Sequence, residues 1–380
     1  MKRFLIALII TILIFPIICF AENDNYDEYY DEYNTYLQSF DLSCFDELDN
    51  DTRDFLEELN VNGFNYESIS DLSLKSVFNS IINITLDKSK TPLKSAIIVL
   101  CFIILSSLFN SMSNHLTSDE MSSLLSTITS LVISVFLVSG LSNCILLCCS
   151  TIKICSKFSF AFFSIFCVIV ATSGGTVTSL SVNTMLLILS QGLGYLAETL
   201  FLPLTNCFLA LGICSSIRQE LNIYSLVNTF KKIITALISL TSSVFVAILS
   251  FKTAVSSKAD ALGLRSARFA INTVVPLIGG TISEGLLSIQ SYSSLVKSSV
   301  GVVGIIAIVG VFLPALIEVN IWRLVLSFSK ICADVFDNKN GSLSIQAFSD
   351  TLLIIDVVLI LSMVTTIISI GILVAVKTVV

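Results

Sequence analysis

Four carboxylates lie in or beside long apolar runs: Glu198 within Leu196–Leu202, Asp356 within Leu352–Leu361, Glu318 after Pro314, and Glu284 just past a Gly-Gly pair. An ionisable group held in hydrocarbon is costly, which makes each a candidate for a pore, a proton relay or a partner contact. The plainer use of Glu198 and Asp356 is an interhelical hydrogen bond or snorkelling to the interface. Glu318 and Glu284 also fit a place at the water–lipid boundary.

Two segments break the apolar pattern in a similar way. One holds Gly174-Gly175-Thr176 and the other Pro276 followed by Gly279-Gly280-Thr281. Adjacent glycines and a proline weaken a helix, and backbone groups freed in lipid must find partners. Paired interruptions of this kind are how the broken helices of transporters look in sequence, so these five residues are candidate pore or broken-helix positions. Coincidence in a chain rich in Gly, Ser and Thr is the competing account. Gly301, Gly304 and Gly310 offer small faces for close helix packing.

Other chemistries are poorly supported. His115 is the single histidine, which excludes most histidine-based catalysis and His-rich metal sites. There is no Walker A loop, nucleophile elbow or dinucleotide fingerprint. Cys144 and Cys148 share a helix face, but no nearby His or carboxylate completes a metal site. No enzyme activity, metal or cofactor is expected. No basic stripe with interleaved aromatics points to nucleic acid.

The elements that position these residues are membrane helices. Hydrophobic residues make up 54% of the 380 and charged ones 13%, with a mean hydropathy of +0.90. Such a surface in water would leave large apolar patches exposed. The chain is expected to be all-α, a polytopic α-helical membrane protein of about 7–8 spans. The apolar runs are 95–113, 124–149, 158–178, 196–216, 233–251, 300–322 and 352–376, with a weaker one at 183–195. Of the 28 acidic residues, 14 lie between Glu22 and Glu58, against one basic residue, Arg53. The acidity therefore belongs to a tip and not to the membrane body.

Lys2-Arg3, the apolar run Phe4–Phe20 and Ala21-Glu22 read as a signal sequence over 1–21, cleaved or retained as an anchor. Residues 22–39 are acidic and Tyr-rich, and bury too little to order. Residues 40–91 carry two amphipathic helical patterns and form an exported helical region. Residues 92–380 are the polytopic transmembrane domain. Lys252, Lys258, Arg265 and Arg268 form the strongest basic loop and are expected in the cytoplasm. Lys88, Lys90 and Lys94, next to an exported region, run against the positive-inside rule.

One block carries a family resemblance. It reads Ala259-Asp260-Ala261-Leu262-Gly263-Leu264-Arg265, then Val275-Pro276-Leu277-Ile278-Gly279-Gly280-Thr281-Ile282-Ser283-Glu284. It continues with Leu295-Val296-Lys297-Ser298-Ser299-Val300-Gly301-Val302-Val303-Gly304 and Pro314. Together with the leader, the short exported region and the polytopic body, this resembles the stage III sporulation protein AE family of endospore-forming bacteria. Residues 333–338 lack the Pro-Gly stretch of that pattern.

The resemblance implies a membrane subunit of a transenvelope channel or secretion-like complex that links mother cell and forespore and is required for sporulation. It implies a mother-cell membrane location, with the N-terminal region in the intermembrane space. Its implied partners are the other stage III A sporulation proteins, including a cytoplasmic ATPase, and stage II sporulation protein Q. Assembly as a homo-oligomer is left open, and no catalytic residues come with the family. The alternative reading of the residues is a stand-alone secondary transporter or permease with a midplane site at the broken helices.

Overall fold

A computed structural model describes residues 47–59, 61, 74–116, 119–172, 185–186, 188–189, 191–217, 225–248, 279–336 and 338–375. The expected signal sequence, the acidic stretch, the basic loop, Gly174, Gly175 and Pro276 lie outside these residues. The described backbone is helical apart from short caps and turns.

Helix α1 spans Asn50–Glu58. Thr52 Oγ1 donates to the Asp49 carboxylate at its start, and the Arg53 N–H donates to the Asp49 carbonyl, closing the first turn. Its apolar residues recur at helical spacing, so Phe55 and Leu56 turn inward with Thr52 while Asp51, Asp54, Glu57 and Glu58 face out.

Helix α2 runs over Leu74–Leu116 with Pro92 inside it. The boundary expected at residues 91/92 thus falls within a helix: from Leu74 on, the second amphipathic pattern and the first apolar run are one element. Pro92 removes a single intrahelical donor, a loss that long apolar flanks tolerate.

Helix α3 covers Asp119–Thr172, 54 residues or about 80 Å at 1.5 Å per residue. The run 124–149 and the part of 158–178 up to Thr172, expected as separate spans, therefore share one helix. Lys153 and Lys157 make the junction look like a loop in sequence. Neither breaks a helix, and both point outward from the bundle. Six helices among the described residues are long and apolar enough to cross a membrane, in keeping with the expected all-α polytopic class, and two of the expected runs meet in α3.

Residues 191–196 lead into a π-helical turn at Ala197–Phe201 and on to α4, Leu202–Ile217. Pro203 accounts for the widened turn, because its ring opposes the carbonyl four residues back and it has no N–H to give. Helix α5 is Ser225–Ile248. Helix α6 is Gly279–Val335, with Pro314 inside, and α7 is Lys339–Ala375.

Helices α6 and α7 form a hairpin around which the others assemble. The turn is closed by Asn338: its Oδ1 accepts from the Gly341 N–H at 3.0 Å, and its own N–H donates to the Ala333 carbonyl at 2.9 Å. Helix α6 packs on α7, α2 and α3, and α7 also packs on α3 and α4.

Glycines set the spacing of these contacts. Gly304 faces the Phe162 ring, which stacks between Phe158 and Phe166 with centroids 5.5 Å away on each side. Gly301 lies against Val374 and Phe166. A Cβ at Gly140 would sit 2.8 Å from Trp322, and one at Gly212 2.6 Å from Ala347. The close approaches let backbones pack tightly where apolar burial gives no advantage over lipid.

Candidate functional site

Asp356 is the one carboxylate among the described residues that is almost wholly enclosed. It is 2% exposed on α7, facing α6. Arg323 Nη1 donates to its Oδ2 at 2.6 Å, and Asn320 Nδ2 donates to Oδ1 at 3.2 Å. Arg323 and Asn320 lie on consecutive turns of α6, so both reach the same acceptor across the hairpin. Asn320 Nδ2 also donates to the Leu316 carbonyl of its own helix at 2.8 Å. The guanidinium and the amide reach one oxygen each of the buried carboxyl, which ties the register of the two helices together. The cluster joins α6 to α7 through both carboxylate oxygens, which supports a positioning role.

The other intramembrane carboxylates are placed differently. Glu198 sits in the π-helical turn, 39% exposed, with Oε1 3.4 Å from Lys153 Nζ of α3. Next to it, Ser156 Oγ donates to Gln191 Oε1 at 2.9 Å, and Gln191 Nε2 returns a bond to the Ser156 carbonyl at 3.0 Å. The junction of α3 with the helix carrying Glu198 is therefore polar on its outer side. Glu318 is half-buried on α6, one turn before Trp322. Gly279, Gly280 and Glu284 fall in the first turns of α6, whose described residues begin at Gly279.

Two polar contacts had no counterpart in the sequence reading. Lys231 of α5 donates to Asp350 of α7 at 2.7 Å and is the ion pair that ties α5 to the hairpin. Ser130, Ser216 and Ser344 gather from α3, α4 and α7, with Ser344 Oγ 2.7 Å from each of the other two. Each hydroxyl can both give and accept, and Ser216 donates on to the Ile213 carbonyl at 2.7 Å, so the triad is satisfied without a charge. No group of three or more His, Cys, Asp or Glu among the described residues could hold a metal ion. Cys144, Cys148, Cys155 and Cys167 are buried thiols outside any disulfide, and they pack as small residues.

Of the expected site residues, the structure therefore gathers Asp356 into a cluster, leaves Glu198 and Glu318 apart from it, and seats Gly301, Gly304 and Gly310 on separate contacts. Arg323 and Asn320 could have been noticed as polar residues at an apolar run's end, but nothing local ties them to a carboxylate 33 and 36 positions away.

A family model described as Stage III sporulation protein AE matches residues 60–377. A relative of that name from Bacillus subtilis (strain 168) is 22% identical over 232 residues, 61% of this chain and 57% of the relative. The aligned part thus spans less than two thirds of that protein. No solved structure matches.

Proposed function

Because this chain belongs to the stage III sporulation protein AE family, we propose that it is the membrane subunit of a transenvelope channel or secretion-like complex linking mother cell and forespore. In this reading it sits in the mother-cell membrane with its N-terminal region in the intermembrane space. It works with the other stage III A proteins, draws energy from their cytoplasmic ATPase, and meets stage II sporulation protein Q from the forespore side. It performs no catalysis itself.

The observation that carries the reading is the family match over most of a chain that is itself a polytopic helical bundle. A bundle fixed by one buried ion pair and glycine contacts suits a static subunit better than a carrier. A stand-alone transporter has one observation in its favour, the polar outer junction at Glu198, Lys153 and Gln191.

Affinity purification of the tagged full chain from sporulating cells, followed by mass spectrometry, separates the two. Recovery of the stage III A proteins and stage II sporulation protein Q, with no solute uptake by liposomes holding the chain alone, is the expected result. Uptake by those liposomes that Glu198→Gln abolishes would overturn it.

A further inference from the structure

Three close contacts put the long helices in register. Gly140 of α3 lies against Trp322 of α6 and Ser95 of α2, and Gly304 of α6 lies against Phe162 of α3. Asn338, at the hairpin turn, donates to Ser106 of α2 at 3.3 Å. Helix α3 therefore runs antiparallel to α6. The bundle has a turn end, near Asn338, and an open end, where Gly301 meets Phe166 and Val374.

Exposed apolar side chains crowd the turn end. On α3 they include Ile128, Val135 and Leu146, a stretch of about 27 Å at 1.5 Å per residue. A hydrocarbon core is about 30 Å thick. On α6 no side chain is exposed over 299–323, and then Leu324, Phe328, Ile331 and Val335 form an outward stripe. Charges within this layer turn inward, Arg323 to Asp356 and Lys231 to Asp350. Asp334 and Lys339 are exposed at its far edge, beside the turn.

Past Leu146 the surface changes. Lys153 pairs with Glu198, Lys157 with Glu47 and Lys88 with Asp51, a polar belt drawn from α3, the π-helical turn, α2 and the start of α1. Helix α1 rests on Gly310 through Thr52 and Phe55, and exposes Asp51, Asp54, Glu57 and Glu58 on its outer side. Four exposed carboxylates are too costly for a hydrocarbon face, so the bundle meets water or headgroups at the level of Gly310. Further toward the open end, α2 exposes Asn79, Asn83 and Asp87 beside Phe78, Ile82 and Leu86. Helix α6 is enclosed by protein there and needs no lipid.

We propose that one lipid layer girdles only the turn end of the bundle, from Leu146 and Leu93 to the hairpin turn, and that the open end stands outside it as a helical stalk. Acyl chains cover the 128–146 face of α3 and the Leu324 stripe of α6, and lipid phosphates meet Lys88, Lys153 and Lys157. The expected span 158–178 then lies outside the hydrocarbon, and 300–322 enters it only toward its end. Phe160 and Val168, exposed on that part of α3, are single apolar residues of a kind that water-facing surfaces carry.

The test uses the full-length chain in nanodiscs of zwitterionic and anionic phospholipid. Single cysteines at Val135, Leu146, Phe160 and Val168 in a background without the native cysteines carry a nitroxide label. Molecular oxygen, which concentrates in hydrocarbon, is expected to relax the labels at Val135 and Leu146 several-fold more than a water-soluble nickel chelate does. The order should reverse at Phe160 and Val168. Oxygen-favoured labels at Phe160 and Val168 overturn the proposal, and so do labels there that neither reagent reaches. Charge variants that keep the native cysteines answer the same question should that background fail to fold. Val135→Lys is expected to cut the yield of folded, inserted chain several-fold, and Val168→Lys to leave it within about two-fold of wild type. Equal losses, or a larger one for Val168→Lys, overturn the proposal.

Discussion

Helices α5 and α6 are both apolar and both long enough to span, yet the structure uses them in opposite ways. In α6, 89% of the most apolar window is buried inside the bundle; in α5 the figure is 17%. Helix α6 is also the more apolar, with a mean hydropathy of 2.8 against 1.6, but lipid accepts an apolar side chain as readily as a protein interior does, so hydropathy alone does not explain the difference. What differs is shape and pairing. Helix α6 presents Gly301, Gly304 and Gly310 to aromatic and aliphatic neighbours and places Arg323 and Asn320 on Asp356. Helix α5 turns its hydroxyls back on itself: Thr229, Thr235 and Ser243 each donate to the carbonyl four residues earlier. Those groups need no neighbour, so α5 can face hydrocarbon with only Lys231 and a narrow apolar seam holding it.

The contrast breaks most sharply at the buried pair. Arg323→Met leaves the Asp356 carboxyl between α6 and α7 without its guanidinium, held by Asn320 alone among the described residues, and should cost about 3–5 kcal/mol. The double variant Arg323→Met with Asp356→Leu should recover most of that. Denaturant titration in bicelles reads both, and a double variant no better than the single would mean that the pair does not set the hairpin's stability. A smaller loss is expected from Gly304→Leu, which drives a side chain into the Phe162 ring and should cost about 1–3 kcal/mol. Gly304→Ala would be milder, and an unchanged unfolding midpoint for the leucine variant would show that α3 and α6 are not tightly apposed. The least effect belongs to α5. Leu240 is largely exposed, and Leu240→Ala should stay within about 0.5 kcal/mol of wild type. A loss of several times that would show α5 packed on something other than lipid.

The membrane class could be read from composition alone, and the small-residue role of Gly301, Gly304 and Gly310 from their place in an apolar run. The inward face of α1 followed from the spacing of Phe55, Leu56 and Leu59. The continuity of α3 could not be read in advance, because Lys153 and Lys157 interrupt hydropathy without interrupting a helix. Side chains able to lean outward to Glu198 and Glu47 dissolve the apparent loop. Nor could Asp356 be matched to Arg323 beforehand. Its partner depends on which helices become neighbours, and a one-dimensional pattern holds no information on that. Glu198 looked isolated for the same reason.

The length of α3 has a mechanical consequence. A rigid rod of about 80 Å set across a hydrocarbon layer of about 30 Å must leave much of itself outside at ordinary tilts. The layer then acts as a fulcrum. A rocking of 10° about the middle of the rod would move each end through about 7 Å on this length. Such a lever relays a displacement on one side of the membrane as an opposite one on the other, without any helix having to unwind.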